Sequence, residues 1–269
     1  MKGFSPRERP LLFYFMLAFI ISWGGSFAAA GPKFLRGESF GLMDAMVMFV
    51  PMLLGPSVAG IVTIASVERN QGLRDLWARM TKWRVPGLWY GIAVLTPPIL
   101  IVLVLLLLRT AIAPSFTPTF MPPMVMIGVL AGYFEEIGWM GCAFPRMESR
   151  HGALRAGIVL GIVWSSWHVV ADFIGTSGSA GALWLPHFLV WSAAMTAMRM
   201  LIVWVYGHTR SVLLAQLMHA SSTGSLGVFV PSLSTRNDLL FYAAYAAILL
   251  VMALLVALKG GYRFSTEDE

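Results

Sequence analysis

Two adjacent carboxylates, Glu135 and Glu136, two imidazoles, His168 and His219, and one guanidinium, Arg199, stand inside otherwise apolar stretches of this 269-residue chain. Together they could hydrolyse an amide. A carboxylate can take a proton from water, one imidazole can aim that water, and another can stabilise the oxyanion that forms. At bilayer depth each such group costs roughly 2.5–3.5 kcal/mol on insertion scales, so its presence there asks for a function. Adjacent helical residues point about 100° apart, so Glu135 and Glu136 are expected to divide the work, one acting and one anchoring. The alternative is structural: both carboxyls bonded to backbone or side chains, and each histidine a lone interhelical hydrogen-bond donor.

These groups need elements to carry them, and the composition says which kind. The chain is 58% hydrophobic and only 12% charged, with a mean hydropathy of +0.74. That excludes a water-soluble globule and a disordered chain. A single cysteine, Cys142, excludes an intramolecular disulfide and a thiolate metal cluster, and reads as a small packing residue. The expected fold is all-α, a polytopic bundle of about eight transmembrane helices forming one domain over 1–269. The runs are Leu11 to Ala30, Ala45 to Val67, Trp89 to Leu108, Met121 to Trp139, Ala156 to Ile174, Ala182 to Tyr206, Val212 to Val230 and Leu239 to Leu258.

With the N-terminus inside, 14 Lys and Arg, from Lys2 through Arg263, fall in inner segments and four (Lys33, Arg36, Arg109, Arg236) in outer ones. This bias predicts a multi-pass protein of the cell membrane with both termini cytoplasmic, and it accounts for the net charge of +6 without nucleic acid. The first run is too long for a signal-peptide core. Basic Glu68 to Arg84, with Trp77 and Trp83, reads as an amphipathic helix on lipid headgroups. No internal repeat supports a transporter.

Counted at ~1.5 Å per residue from the nearest basic inner marker, Glu135, His168, Arg199 and His219 lie ~14–20 Å deep, within about one helical turn of one another. One polar layer is therefore expected. Gly128 and Gly132 lead to Glu136, and Gly157 and Gly161 lead through Trp164 to His168; both are small-xxx-small stripes suited to close helix approach, although such spacing also occurs as generic packing.

Three segments carry a resemblance: Glu135-Glu136-Ile137-Gly138-Trp139-Met140-Gly141 with Pro145 and Arg146, Trp164-Ser165-Ser166-Trp167-His168, and Ser211 through His219-Ala220-Ser221. In order and spacing they resemble the CPBP family of intramembrane endopeptidases, which includes type II CAAX prenyl proteases and Abi-type proteins. The resemblance covers about residues 128–223. It implies a helical membrane protease with a polar cavity toward the cytoplasm, in which Glu135 and His168 activate water and His219 stabilises the oxyanion. Glu136, Thr223, Arg199 and Trp164 are expected to support them. Two positions depart from the family pattern. Met140 stands where arginine is usual and Thr223 where asparagine is usual. Methionine cannot pair with Glu136, and Arg199, at similar depth, is the expected replacement cation.

No cofactor is favoured. A zinc alternative would take Glu135, His168 and His219 from three helices, in the absence of any H-E-x-x-H pair. The expected partners are membrane lipid and a peptide or membrane-protein substrate. The rival of another class is a non-catalytic immunity or scaffold protein that binds a peptide without cutting it, and Met140 and Thr223 motivate it. Asp172, one turn beyond His168, could orient its ring but reads better as an interfacial charge. His151, His187 and His208 read as interfacial.

Overall fold

The computed structural model describes residues 6–38 and 41–263. Lys2 and both chain ends lie outside them. Among the described residues there are helices and no strands. In order they are α1 (Pro10–Leu35), α2 (Leu42–Val67), α3 (Arg69–Met80), α4 (Gly87–Ala111), α5 (Val125–Gly138), α6 (Phe144–His151), α7 (Ala153–Trp167), α8 (Val169–Ala180), α9 (Trp184–Thr209), α10 (Val212–Phe229) and α11 (Thr235–Leu258). A π-turn, Trp139–Ala143, joins α5 to α6.

Five segments are long and apolar enough to cross a membrane: Pro10–Leu35, Met43–Val67, Gly87–Ala111, Val169–Thr209 and Thr235–Leu258. The chain is a polytopic helical membrane bundle, as its composition requires. The apolar windows of α1, α4 and α11 are only 22–28% buried, against 56–61% for α2 and the α8–α9 stretch. The first three thus present hydrocarbon outward as a lipid-facing shell, and the others form the interior.

Two of the eight expected runs depart from single uninterrupted helices, whereas the seventh is one helix of 18 residues, α10, within its expected bounds. The fourth starts late, at Val125, because the Pro122–Met124 turn precedes it, and its helix gives way to the π-turn. The fifth breaks at His168. Two carbonyls there are diverted from the helical ladder: Trp164 O accepts from His168 Nδ1 at 2.9 Å, and Trp167 O accepts from Trp23 Nε1 at 2.7 Å. The amide of His168 turns instead to Ser165 O. A ladder that loses its acceptors to side chains is interrupted, and α8 begins after the break, at Val169.

The amphipathic segment folds as α3, but its inner face meets protein. Gly72 and Leu76 are buried, while Trp77 and Trp83 stay 64% and 61% exposed. Arg79 fastens the helix, donating from Nη1 to Tyr206 Oη at 3.0 Å and from Nη2 to Gly141 O at 2.8 Å.

The basic segments gather at one end of the bundle. Arg146 pairs with Glu68, Arg210 with Glu148 at 2.6 Å, and Ser211 Oγ donates to Lys82 O at 2.7 Å. At the other end Lys33 pairs with Asp44 at 2.7 Å, and His187 Nε2 meets Asp238 Oδ2 at 2.8 Å.

Candidate active site

Glu135 and Glu136 stand in the last turn of α5, just before the fully buried π-turn. That turn is wedged from two sides. Ser57 Oγ of α2 donates to Phe134 O, and a Cβ on Gly138 would lie 2.2 Å from Pro56 O. On the opposite side, Arg79 holds the Gly141 carbonyl and Leu76 packs on Gly141. A π-turn inserts a residue into the helical register and is frequent at functional sites. Here it ends α5 where both carboxylates face the bundle interior.

His219 is delivered by α10, which α5 approaches backbone to backbone. A Cβ on Gly132 would fall 2.4 Å from Gln216 O, and one on Gly128 would fall 2.3 Å from Ala220 O. Only glycine permits that distance. Gln216 Nε2 donates across the same contact to Tyr133 O at 2.9 Å. The second glycine stripe serves Arg199. Gly161 of α7 lies against Thr196, and Gly157 against Met200, both on α9. Each stripe therefore closes on a partner helix of its own, α10 for the glutamates and α9 for the α7 segment. They do not pack on one another.

The two carboxylates sit in different environments. Glu136 is fully buried, and both its oxygens accept from Arg199 Nη1, at 2.8 and 2.6 Å. His219 Nδ1 lies 2.6 Å from Glu136 Oε1. The cation expected from depth alone is therefore in place opposite Glu136. Met140, where the family pattern has arginine, is buried in the π-turn. Glu135 keeps 4% of its surface and accepts one hydrogen bond, from Trp164 Nε1 to Oε2 at 2.9 Å.

Trp164, expected only in a supporting place, is the hub of the site. Besides that bond, its ring carries the Arg199 guanidinium at 4.1 Å and meets the edges of His219 at 5.1 Å and His168 at 5.7 Å. Its carbonyl accepts the Nδ1 proton of His168. A carbonyl can only accept, so a neutral His168 has its proton on Nδ1 and a lone pair on Nε2. Trp167 and Trp191 wall that ring at 4.6 and 5.0 Å. Gln216, three residues before His219 and hence on its face, is a further polar residue in the same apolar run.

The remaining expected residues fall as follows. His219 faces Glu136, and its contact with the Glu135 side of the layer runs through Trp164. Thr223 is half-buried and makes no hydrogen bond among the described residues. Asp172 Oδ2 accepts from Trp184 Nε1 at 2.7 Å instead of orienting His168. His187 is engaged by Asp238, and His208 stacks on Trp89 at 4.9 Å. Cys142 is buried beside Arg146, with 3.3 Å between Sγ and Nη1. Among the described residues no three His, Cys, Asp or Glu side chains are grouped to hold a metal. Glu135, His168 and His219 each make one hydrogen bond to a different protein group, through Oε2, Nδ1 and Nδ1.

Comparison with known proteins finds two likenesses. The family described as "Type II CAAX prenyl endopeptidase Rce1-like" matches residues 117–224. A "CAAX prenyl protease 2" of Methanococcus maripaludis is 28% identical over 233 residues, covering 80% of this chain and 83% of that relative. Both likenesses point to the family that the three motif segments resemble, and the matched residues 117–224 include every side chain of the layer from Glu135 to Thr223.

Proposed function

We propose that the chain is an intramembrane endopeptidase that hydrolyses a peptide bond near the cytoplasmic membrane face with water activated at Glu135. The observation that carries this is the asymmetry of the paired carboxylates. Glu136 is spoken for by Arg199 and His219, whereas Glu135 holds one bond and residual exposure. Glu135 would take a proton from water while His168 Nε2, a hydrogen-bond acceptor in the tautomer assigned above, aims it. The water oxygen bonds to the scissile carbonyl carbon, and the charge passes to the carbonyl oxygen. His219 answers that charge if its ring carries both protons, with Glu136 as counter-ion on Nδ1. The proton on Glu135 then goes to the departing amine as the C–N bond breaks. Each of these steps uses the chain's own groups. The relative's printed name, a prenyl protease, supports a peptidase and suggests substrates presented at the membrane.

The test is Glu135→Gln, which preserves size and the bond from Trp164. Cleavage of a membrane-proximal peptide should fall by at least about a hundredfold, as for loss of a general base, with thermal stability kept. Cleavage at the wild-type rate would dispose of the assignment. Activity before and after chelation separates this mechanism from the zinc alternative. The rival reading, a binding protein that does not cut, draws on Met140 and the unbonded Thr223. A protective phenotype that survives Glu135→Gln would favour it.

A further inference from the structure

At the basic end of the molecule a cleft of about 530 Å³ opens between the start of α7 and the C-terminal end of α11. Its mouth carries His151, Arg155 and Arg263, and one bank is built from Leu154, Ile158 and Val159. No residue of the Glu135–His219 layer lines it. The two arginines are exposed, and among the described residues neither has an acidic partner. Arg146 and Arg210, at the same end, each have one. Gly152, which caps α7, and Ala153, its first residue, line the same cleft, and the amides of the first turn of a helix add partial positive charge.

The apolar bank is equally specific. Leu154, Ile158 and Val159 are all exposed, and Ile162 continues the stripe along α7. Helices α7 and α11 each pack on α9, which holds the two banks in place. Tyr262 fixes the end of the second bank: it is buried, and its hydroxyl donates to Met200 O of α9 at 3.1 Å, holding Arg263 beside the mouth. A soluble anion would satisfy the cations and leave the apolar bank bare. A neutral lipid would do the reverse.

We propose that this cleft binds an anionic glycerophospholipid, its phosphate among His151, Arg155 and Arg263 and an acyl chain along Leu154, Ile158 and Val159. The inference is independent of the peptidase reading. The test exposes the full-length protein in detergent to phosphatidylglycerol and phosphatidylcholine and reads retained lipid by native mass spectrometry. Phosphatidylglycerol is retained selectively, and Arg155→Gln with Arg263→Gln weakens retention by about thirtyfold, from about a fivefold loss per arginine near a lipid headgroup. Arg109→Gln with Arg236→Gln, exposed cations outside the cleft, leaves it unchanged. Melting temperatures check that both pairs fold. Equal weakening by the two pairs would mean diffuse surface charge and would overturn the proposal, as would full competition by glycerol phosphate, which lacks the chain. Residues 264–269 end in Glu267-Asp268-Glu269, so a chain ending at Arg263 is the last arm. Retention only after that truncation would make the acidic tail the occupant and the proposal wrong.

Discussion

At the scale of residues, the distribution of partners decides what each charge can do. A buried carboxylate is tolerated only when its desolvation is compensated, and Glu136 has a guanidinium on both oxygens and an imidazole on one. The compensation is itself exposed to loss. Arg199 is fully buried, and its Nε and Nη2 lack hydrogen-bond partners among the described residues, so its cation leans on Glu136 and on the face of Trp164. Removing the arginine would strand Glu136 as an unpaired buried charge. Arg199→Met is therefore expected to destabilise the protein by about 3–5 kcal/mol, read as a drop in melting temperature in detergent. Adding Glu136→Gln should recover part of that loss, because a neutral amide has less to compensate. An Arg199→Met protein that melts with the wild type would show that the pair is not structural.

At the scale of elements, two glycine stripes and one π-turn convert sequence spacing into a site. Gly132 lets α5 and α10 meet at a distance that no side chain allows, with Gln216 O and Ala220 N at 2.4 and 2.6 Å from where a Cβ would stand. Both obstacles are backbone, so neither can swing aside. Gly132→Ala must push the helices apart, at a cost of about 1–3 kcal/mol, and should lower cleavage further by moving His219 from Glu136. Gly24 in α1 has nothing within 4 Å of its Cβ position, and Gly24→Ala should leave both stability and activity intact. Equal melting temperatures for the two variants would contradict the close-contact account. The π-turn is less forgiving to read from sequence, since it depends on α2 and α3 pressing on Gly138 and Gly141 from two sides.

At the scale of the whole molecule, the charge asymmetry of the sequence becomes a polarity of the bundle. Contacts between segments far apart in the chain, Glu68 with Arg146, Glu148 with Arg210 and Lys82 with Ser211, bring the basic segments to one end. By the positive-inside rule that end should face the cytoplasm. A membrane-impermeant maleimide tests it on a Cys142→Ser background. A cysteine at exposed Ser232 should label in intact cells, and one at exposed Asn70 only after permeabilisation. The reverse pattern would invert the topology and move the proposed cleavage to the outer face.

The sequence by itself determined the membrane class, the identity of the ionisable groups and their common depth. Hydropathy, charge bias and a rise of 1.5 Å per residue are local quantities, readable without knowing which helix meets which. Even the need for a substitute cation was legible, because Met140 left Glu136 without one along its own helix. Which groups touch was settled only by tertiary packing: His219 joins Glu136, Trp164 touches Glu135, Arg199 and both histidines, and the fifth run breaks where Trp23 captures the Trp167 carbonyl. Those choices depend on rotation and approach of helices set by glycine contacts between segments distant in the chain, and no count along one helix contains them.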